Sequence, residues 1–157
     1  MLGAIVGDIV DSVYEFNNTK DYNFHMVTPR SRFTDDTVMT LAVAEWLTED
    51  KTHSESYLIK CMQELGRKYP NVGYGGTFRR WLYRKNPKTY NSWGNGSAMR
   101  VSPVGYFAHN LGETMELAKT SAEVTHHHPE GIKSAQSIAS AIYLTRKKKK
   151  KKDIQQY

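Results

Sequence analysis

Two carboxylates and two hydroxyls crowd into four positions at Thr34-Asp35-Asp36-Thr37. Such an all-oxygen cluster suits a hard cation such as Mg2+ or Mn2+, with no thiolate to favour zinc. The same string precedes apolar positions spaced for a helix, where the first backbone N–H groups lack partners and a single Asp or Thr commonly caps them. Capping needs one such residue, and the surplus is what points to a ligand. A third carboxylate, Glu15, stands near the predicted end of the first helix, one position before Phe16; it reads either as a solvated helix residue or as a group able to exchange a proton. Further on, Gly94-Asn95-Gly96-Ser97 offers backbone amides that can approach a phosphate, with Arg100 close behind as a bidentate partner. An ordinary Gly-Asn-Gly turn has the same composition.

The run His126-His127-His128 invites a zinc reading, but neighbouring side chains cannot all point one way, no HExxH spacing exists, and Cys61 is the only thiol. One hydrogen-bonding histidine at a loop–helix junction is the better expectation. Cys61 itself falls on the apolar stripe of its helix, where a thiol is ordinarily inert.

The elements that must hold these groups follow from apolar spacing. Leu2, Ile5, Ile9, Val13 and Phe16 recur at three- and four-residue steps and predict a first helix beginning almost at residue 1. Asn17 to Arg32 loses the period and reads as a long loop. Val38, Leu41, Ala42, Glu45 and Trp46 predict a second helix, and Leu58, Cys61, Met62, Leu65 and Tyr69 a third that ends at Pro70. Asn71 to Asn95, rich in Gly, Tyr, Arg and Trp, reads as a site-forming loop with one short helix around Phe78 to Tyr83. Pro103 and Gly105 argue against a strand over Val101 to Phe107. A further helix is expected from about Gly112 to Val124. Ile132, Ala135, Ile138, Ala139, Ile142 and Tyr143 mark a last amphipathic helix running on into the lysines. Sustained period-two alternation is absent, so the expected fold class is all-α, organised as a single domain over residues 1–157.

With 157 residues, 39% of them apolar and 11% aromatic, the chain is long enough to bury a real core. The formal charge of +6 would suggest a polyanionic partner were it spread over a face. Arg146 to Lys152 alone carries seven positive charges, and the remainder sums to −1. One homopolymeric block is weak support for nucleic-acid binding, and a solvated tail is the plainer reading. A lone cysteine excludes an internal disulfide, and no apolar stretch is long enough to span a bilayer. Asp8 and Asp11 also argue against a secretory signal in the first residues. The expectation is a cytoplasmic protein with no membrane partner.

Taken in order, these strings resemble the ADP-ribosylglycohydrolase family, which includes the dinitrogenase reductase-activating glycohydrolase. The likeness rests on Gly3-Ala4-Ile5-Val6-Gly7-Asp8 with Glu15, on Thr34-Asp35-Asp36-Thr37, on Gly94 to Arg100 with Pro103, and on Thr125-His126-His127-His128-Pro129-Glu130-Gly131. The resemblance implies an all-α fold with two divalent cations, Mg2+ or Mn2+, at the base of a cleft. That cleft receives ADP-ribose, free or attached to a protein, and its N- or O-glycosidic link is hydrolysed there. It assigns Thr34, Asp35 and Asp36 to the metals, Glu15, Asp35 and Asp36 to catalysis, and Gly94, Asn95, Gly96, Ser97, Arg100 and His126 to substrate.

Two departures stand out. Asp11 occupies a position where the family usually has Gly, and the family's late Asp-x-Asp-Thr motif is absent, since only Asp153 follows Glu130 before the sequence ends at Tyr157. Two divalent cations carry more charge than Glu15, Asp35 and Asp36 offset, so the expectation is weak metal binding and impaired turnover in an incomplete domain. A degenerate member that binds ADP-ribose without cleaving it is the alternative. Missing cover over Ile5, Ile9, Ile138 and Ile142 would then favour self-association or a complementing second chain.

Overall fold

The computed structural model describes residues 1–155, apart from the side chain of Asp153; Gln156 and Tyr157, and with them the expectations attached to the chain's end, lie outside the described residues. Every regular element among the described residues is helical: α1 (Leu2–Asp11), α2 (Asp35–Glu49), α3 (Glu55–Lys68), α4 (Gly76–Leu82), α5 (Gly96–Met99), α6 (Ser102–Phe107), α7 (Leu111–Glu123), α8 (Pro129–Arg146) and α9 (Lys151–Ile154). The all-α expectation holds.

Helix α2 is the hub, touching α1, α3, α5 and α6. Thr34 caps its start and Thr37, Val38, Met39, Thr40, Ala42, Val43, Trp46 and Leu47 are all buried along it. The one-sided stripe expected of this helix is therefore corrected. Leu41 is 39% exposed, whereas Met39, Val43 and Leu47 are inside, because a helix covered on several faces needs apolar residues all round. Trp46 is fully buried and donates its indole N–H to Ser54 O at 3.0 Å, which ties the end of α2 to the start of α3. Burying one such side chain stabilises the fold by about 2–3 kcal/mol. Ser54 caps α3, whose Leu58, Cys61 and Met62 complete this side of the core.

The other half is built on α8, which packs against α5, α6 and α7. Its crossing with α6 is close. A Cβ placed on Gly105 would come within 2.7 Å of Ala139 O and of Ile142 Cβ, so only glycine fits there. Pro103 begins α6 rather than interrupting anything, a position where its missing N–H has no cost.

Two expectations at helix ends are overturned. The first helix stops at Asp11, and Val13 and Phe16 lie beyond it in turns, with Phe16 93% exposed. Ser12 Oγ donates to Ile9 O and accepts from Arg32 N, so the loop's return to α1 fixes the exit. Tyr14 reinforces it by donating its hydroxyl to His25 O. The last long helix does not run into the lysines: it ends at Arg146, and Lys148 has a φ of 56°. Arg146, although exposed, turns back to donate to Gly105 O, Tyr106 O and Ala108 O, capping α6. No helix among the described residues is long and apolar enough to cross a membrane. The apolar exposure expected on α1 falls on Leu2 and Val6 more than on half-buried Ile5 and Ile9.

Candidate functional site

Asp8 organises the site. It is the one buried residue of α1, and its carboxylate accepts from Thr34 N at 2.8 Å, Thr37 N at 3.1 Å, and the hydroxyls of both threonines. The amides of the capping Thr34 and of Thr37 in the first turn of α2 are thus satisfied by a side chain from another helix, with a negative charge at the positive end of the helix dipole. Thr34 also accepts from Asp36 N. The outer two residues of Thr34-Asp35-Asp36-Thr37 are consequently engaged in holding α1 to α2.

The inner two are not. Asp35 and Asp36 are half-buried, and among the described residues neither has an ion-pair partner. Burial pushes the Asp35 carboxyl up to about 6, with Glu15 and Asp8 adding repulsion. Burial likewise raises Asp36 to about 6, reinforced by Asp35, Asp8, Glu15 and Asp11. Glu15 is exposed in the turn after α1 rather than on the helix, yet close enough to be felt by both aspartates.

Asp35 opens onto a pocket of about 300 Å3, near the lower end of small-ligand cavities, whose wall includes Phe78, Tyr90, Gly94, Gly96 and His126. Groups more than fifty residues apart in the chain therefore share one cavity. Gly96 is required by close approach, because a Cβ there would lie 2.9 Å from His126 Cε1 and 3.1 Å from Nε2. Gly94 is looser, its nearest neighbour being Ser92 Oγ at 3.6 Å from such a Cβ. Ser97 does not face the cavity with a free hydroxyl: it is fully buried and donates to Gly131 O at 2.8 Å. Asn95 is exposed at the cap position of α5, without a side-chain capping bond.

Arg100 is nearly sealed in the fold. It is 1% exposed, and its Nη2 donates to Ser121 O and to Thr125 Oγ1 at 3.0 Å. Its Nη2 is thus committed to the protein, while the residue still contributes to the lining of the pocket. The three histidines diverge. His126 is buried at the pocket, His127 lies exposed beside Glu123, and His128 caps α8 by accepting from Glu130 N. Cys61 is buried and its thiol is pushed up to about 11 by burial, as the apolar stripe implied.

The ADP-ribosylglycohydrolase family profile matches residues 1–156. The chain belongs to that family. It is similar to the ADP-ribosylhydrolase ARH3 of mouse and of human, 28% identical to each over 92% of this chain and 47% and 48% of theirs. The chicken ARH3 is 30% identical over 71% of this chain and 34% of its own. The chain spans about half the length of the curated relatives it matches.

For this ADP-ribosylglycohydrolase-family chain the fit of a divalent cation is judged on the donors present. Two half-buried carboxylates without a counter-charge suit one. Against that, Thr34 has its hydroxyl on Asp8, Asp8 is turned onto α2, and among the described residues no group of three or more His, Cys, Asp or Glu converges to hold a metal ion. An octahedral hard cation needs more than this. The donor set is partial: Asp35 and Asp36 could supply ligands to a cation but do not complete its shell.

Sequence reasoning gives no individual role to Asp8 or Thr125, which it quotes only inside motifs, or to Phe78 and Tyr90, which it places only within the site-forming stretch Asn71 to Asn95. An aspartate among apolar helix positions was a signal for the first, since a buried carboxylate must find donors.

Proposed function

We propose that the pocket receives ADP-ribose and that the activity to which this chain contributes is hydrolysis of the N- or O-glycosidic bond joining ADP-ribose to a protein side chain or small conjugate. One observation carries the reading: Asp35, Gly94, Gly96 and His126, drawn from three separated motifs, line a single cavity. Flat apolar faces from Phe78 and Tyr90 suit a purine, and the open backbone at Gly94 allows a phosphate close approach.

In this reading Asp35 and Asp36 are anions at neutral pH that hold protons more readily than ordinary carboxylates, which suits them to accept one from a ribose hydroxyl or an attacking water. Glu15, exposed and coupled to both, is the proton carrier at the reacting end. Asp35 and Asp36 supply part of a Mg2+ or Mn2+ site, with the remaining ligands coming from another segment or a complementing chain; the cation's chemistry would be to orient ribose oxygens and water. The chain alone is expected to bind but to turn over little.

Calorimetric titration with ADP-ribose is expected to show one saturable site, and release of ADP-ribose from a modified peptide in Mg2+ or Mn2+ to stay near background until the later half of a relative's domain is supplied. Failure to bind ADP-ribose would refute the reading. Rapid turnover by the chain alone would refute the partial donor set. The reading of a non-catalytic ADP-ribose binder is favoured by that same partial set, and binding without turnover after complementation would establish it.

A further inference from the structure

Arg100 sits where a charge is costly. Burial draws its guanidinium down to about 10, and its Nε finds no partner. An apolar side chain would fill the same volume without that desolvation, so the charge is better explained by what it positions than by what it stabilises. Its Nη2 donates to Thr125 Oγ1 at 3.0 Å, and that fully buried hydroxyl stands 2.8 Å from His126 Nδ1.

A threonine hydroxyl has one proton to give. Having accepted from a guanidinium, the oxygen is polarised, and its proton goes to the strongest acceptor in reach. The hydroxyl of Tyr90 also adjoins Thr125, but an imidazole nitrogen accepts more strongly than a phenol oxygen. Nδ1 of His126 is therefore the acceptor, and the ring's own proton resides on Nε2. Among the described residues Nε2 has no hydrogen-bond partner, and it is not sealed off, since the ring contributes to the pocket wall along its edge beside Gly96.

We propose that Arg100 and Thr125 form a relay that fixes His126 as a neutral Nε2–H donor at the pocket, presenting one preset hydrogen bond to an acceptor oxygen of the bound ligand. In this relay Arg100 and Thr125 are positioning residues that act through His126. Burial, followed by the charge of Arg100, holds the imidazolium down at about 3, in keeping with a ring that stays neutral. The identity of the ligand, and nothing else here, rests on the ADP-ribose reading.

Nitrogen-15 spectra of the histidine rings in the ligand-free full chain test the relay from pH 5 to 8. His126 is expected to show a pyridine-like Nδ1 and a pyrrole-like Nε2 throughout. Thr125→Val keeps the shape but removes the proton and is expected to mix the tautomers, whereas Thr125→Ser preserves them. With ADP-ribose as the probe, Thr125→Val is expected to weaken binding about threefold to tenfold and Thr125→Ser to restore it. A wild-type Nδ1–H tautomer, or a His126 midpoint above about pH 6, overturns the relay, and needs no variant to fold. The expected tautomer with unchanged affinity in Thr125→Val overturns the donor role. The expected tautomer with no ADP-ribose binding at all supports the relay and refutes the ADP-ribose reading.

Discussion

Two groups of carboxylates meet at the start of α2 and are treated in opposite ways. Asp8 reaches in from α1 and is saturated with four donors from Thr34 and Thr37. Asp35 and Asp36, next in sequence to those threonines, have no ion-pair partner among the described residues and are pushed up to about 6 by burial and by neighbouring carboxylates. The first arrangement stabilises the fold; the second is a standing cost to it. Under the proposed function such carboxylates, Asp35 on the cavity wall and Asp36 next to it in sequence, take their partner from outside the fold, which is why the pair and not Asp8 is proposed for chemistry.

The largest expected effect comes from breaking the satisfied side. Asp8→Ala leaves four donors near α2's start without their acceptor and is expected to lower unfolding free energy by about 3 kcal/mol, read by urea denaturation. A loss within experimental error would mean that α1 is held by its apolar face alone.

Next, Gly96→Ala forces its new methyl against the His126 ring, at an expected cost of roughly 1–3 kcal/mol and with weaker ADP-ribose binding. Gly94→Ala has room and is expected to be nearly neutral for stability. Equal behaviour of the two by thermal melting and calorimetry would remove the geometric distinction drawn between them.

The unsatisfied side is expected to answer in the opposite sense. Asp36 holds its proton more tightly folded than unfolded, so its penalty is absent below about pH 4, grows as pH rises, and is complete above about pH 6. Asp36→Asn is therefore expected to flatten that fall and to raise stability at pH 7.5 by about 1 kcal/mol, a figure reduced for the solvent that screens a half-exposed group. Destabilisation at that pH would place Asp36 among the structural carboxylates. A smaller effect still concerns the groove of about 560 Å3 lined by Met1, Leu2, Leu47, Pro103, Tyr106 and Phe107. If this apolar surface drives self-association, light scattering shows a mass rising above 18.0 kDa with concentration, and Leu2→Glu abolishes the rise.

The contrast between the two carboxylate groups was only half legible in the sequence. The cluster at 34–37 and the Gly94–Ser97 string announced themselves by composition, and their meeting in one cavity with His126 follows from helix packing that no local spacing encodes. Asp8 passed as a motif letter because its donors come from residues 26 and 29 positions away. Arg100 reads as a phosphate ligand by its type; its burial and its bonds to Ser121 and Thr125 depend on α7 and the turn after it, which lie later in the chain. Periodicity located the helices well where one face is covered, as in α3, and failed in α2, where the hub position buries residues all round. It also overran α1 and α8, whose ends are decided by Ser12 meeting Arg32 and by Arg146 turning to cap α6.

The most direct measurement is a carbon-13 titration of the side-chain carboxyls from pH 3 to 8, with and without Mg2+. The account predicts that Asp35 and Asp36 titrate together near pH 6 in the absence of the cation, and that Mg2+ draws their midpoints downward while displacing their signals. If both are fully ionised by about pH 4.5 and are indifferent to Mg2+, the pair is an ordinary solvated helix start and the claim that it is held in reserve for chemistry is contradicted.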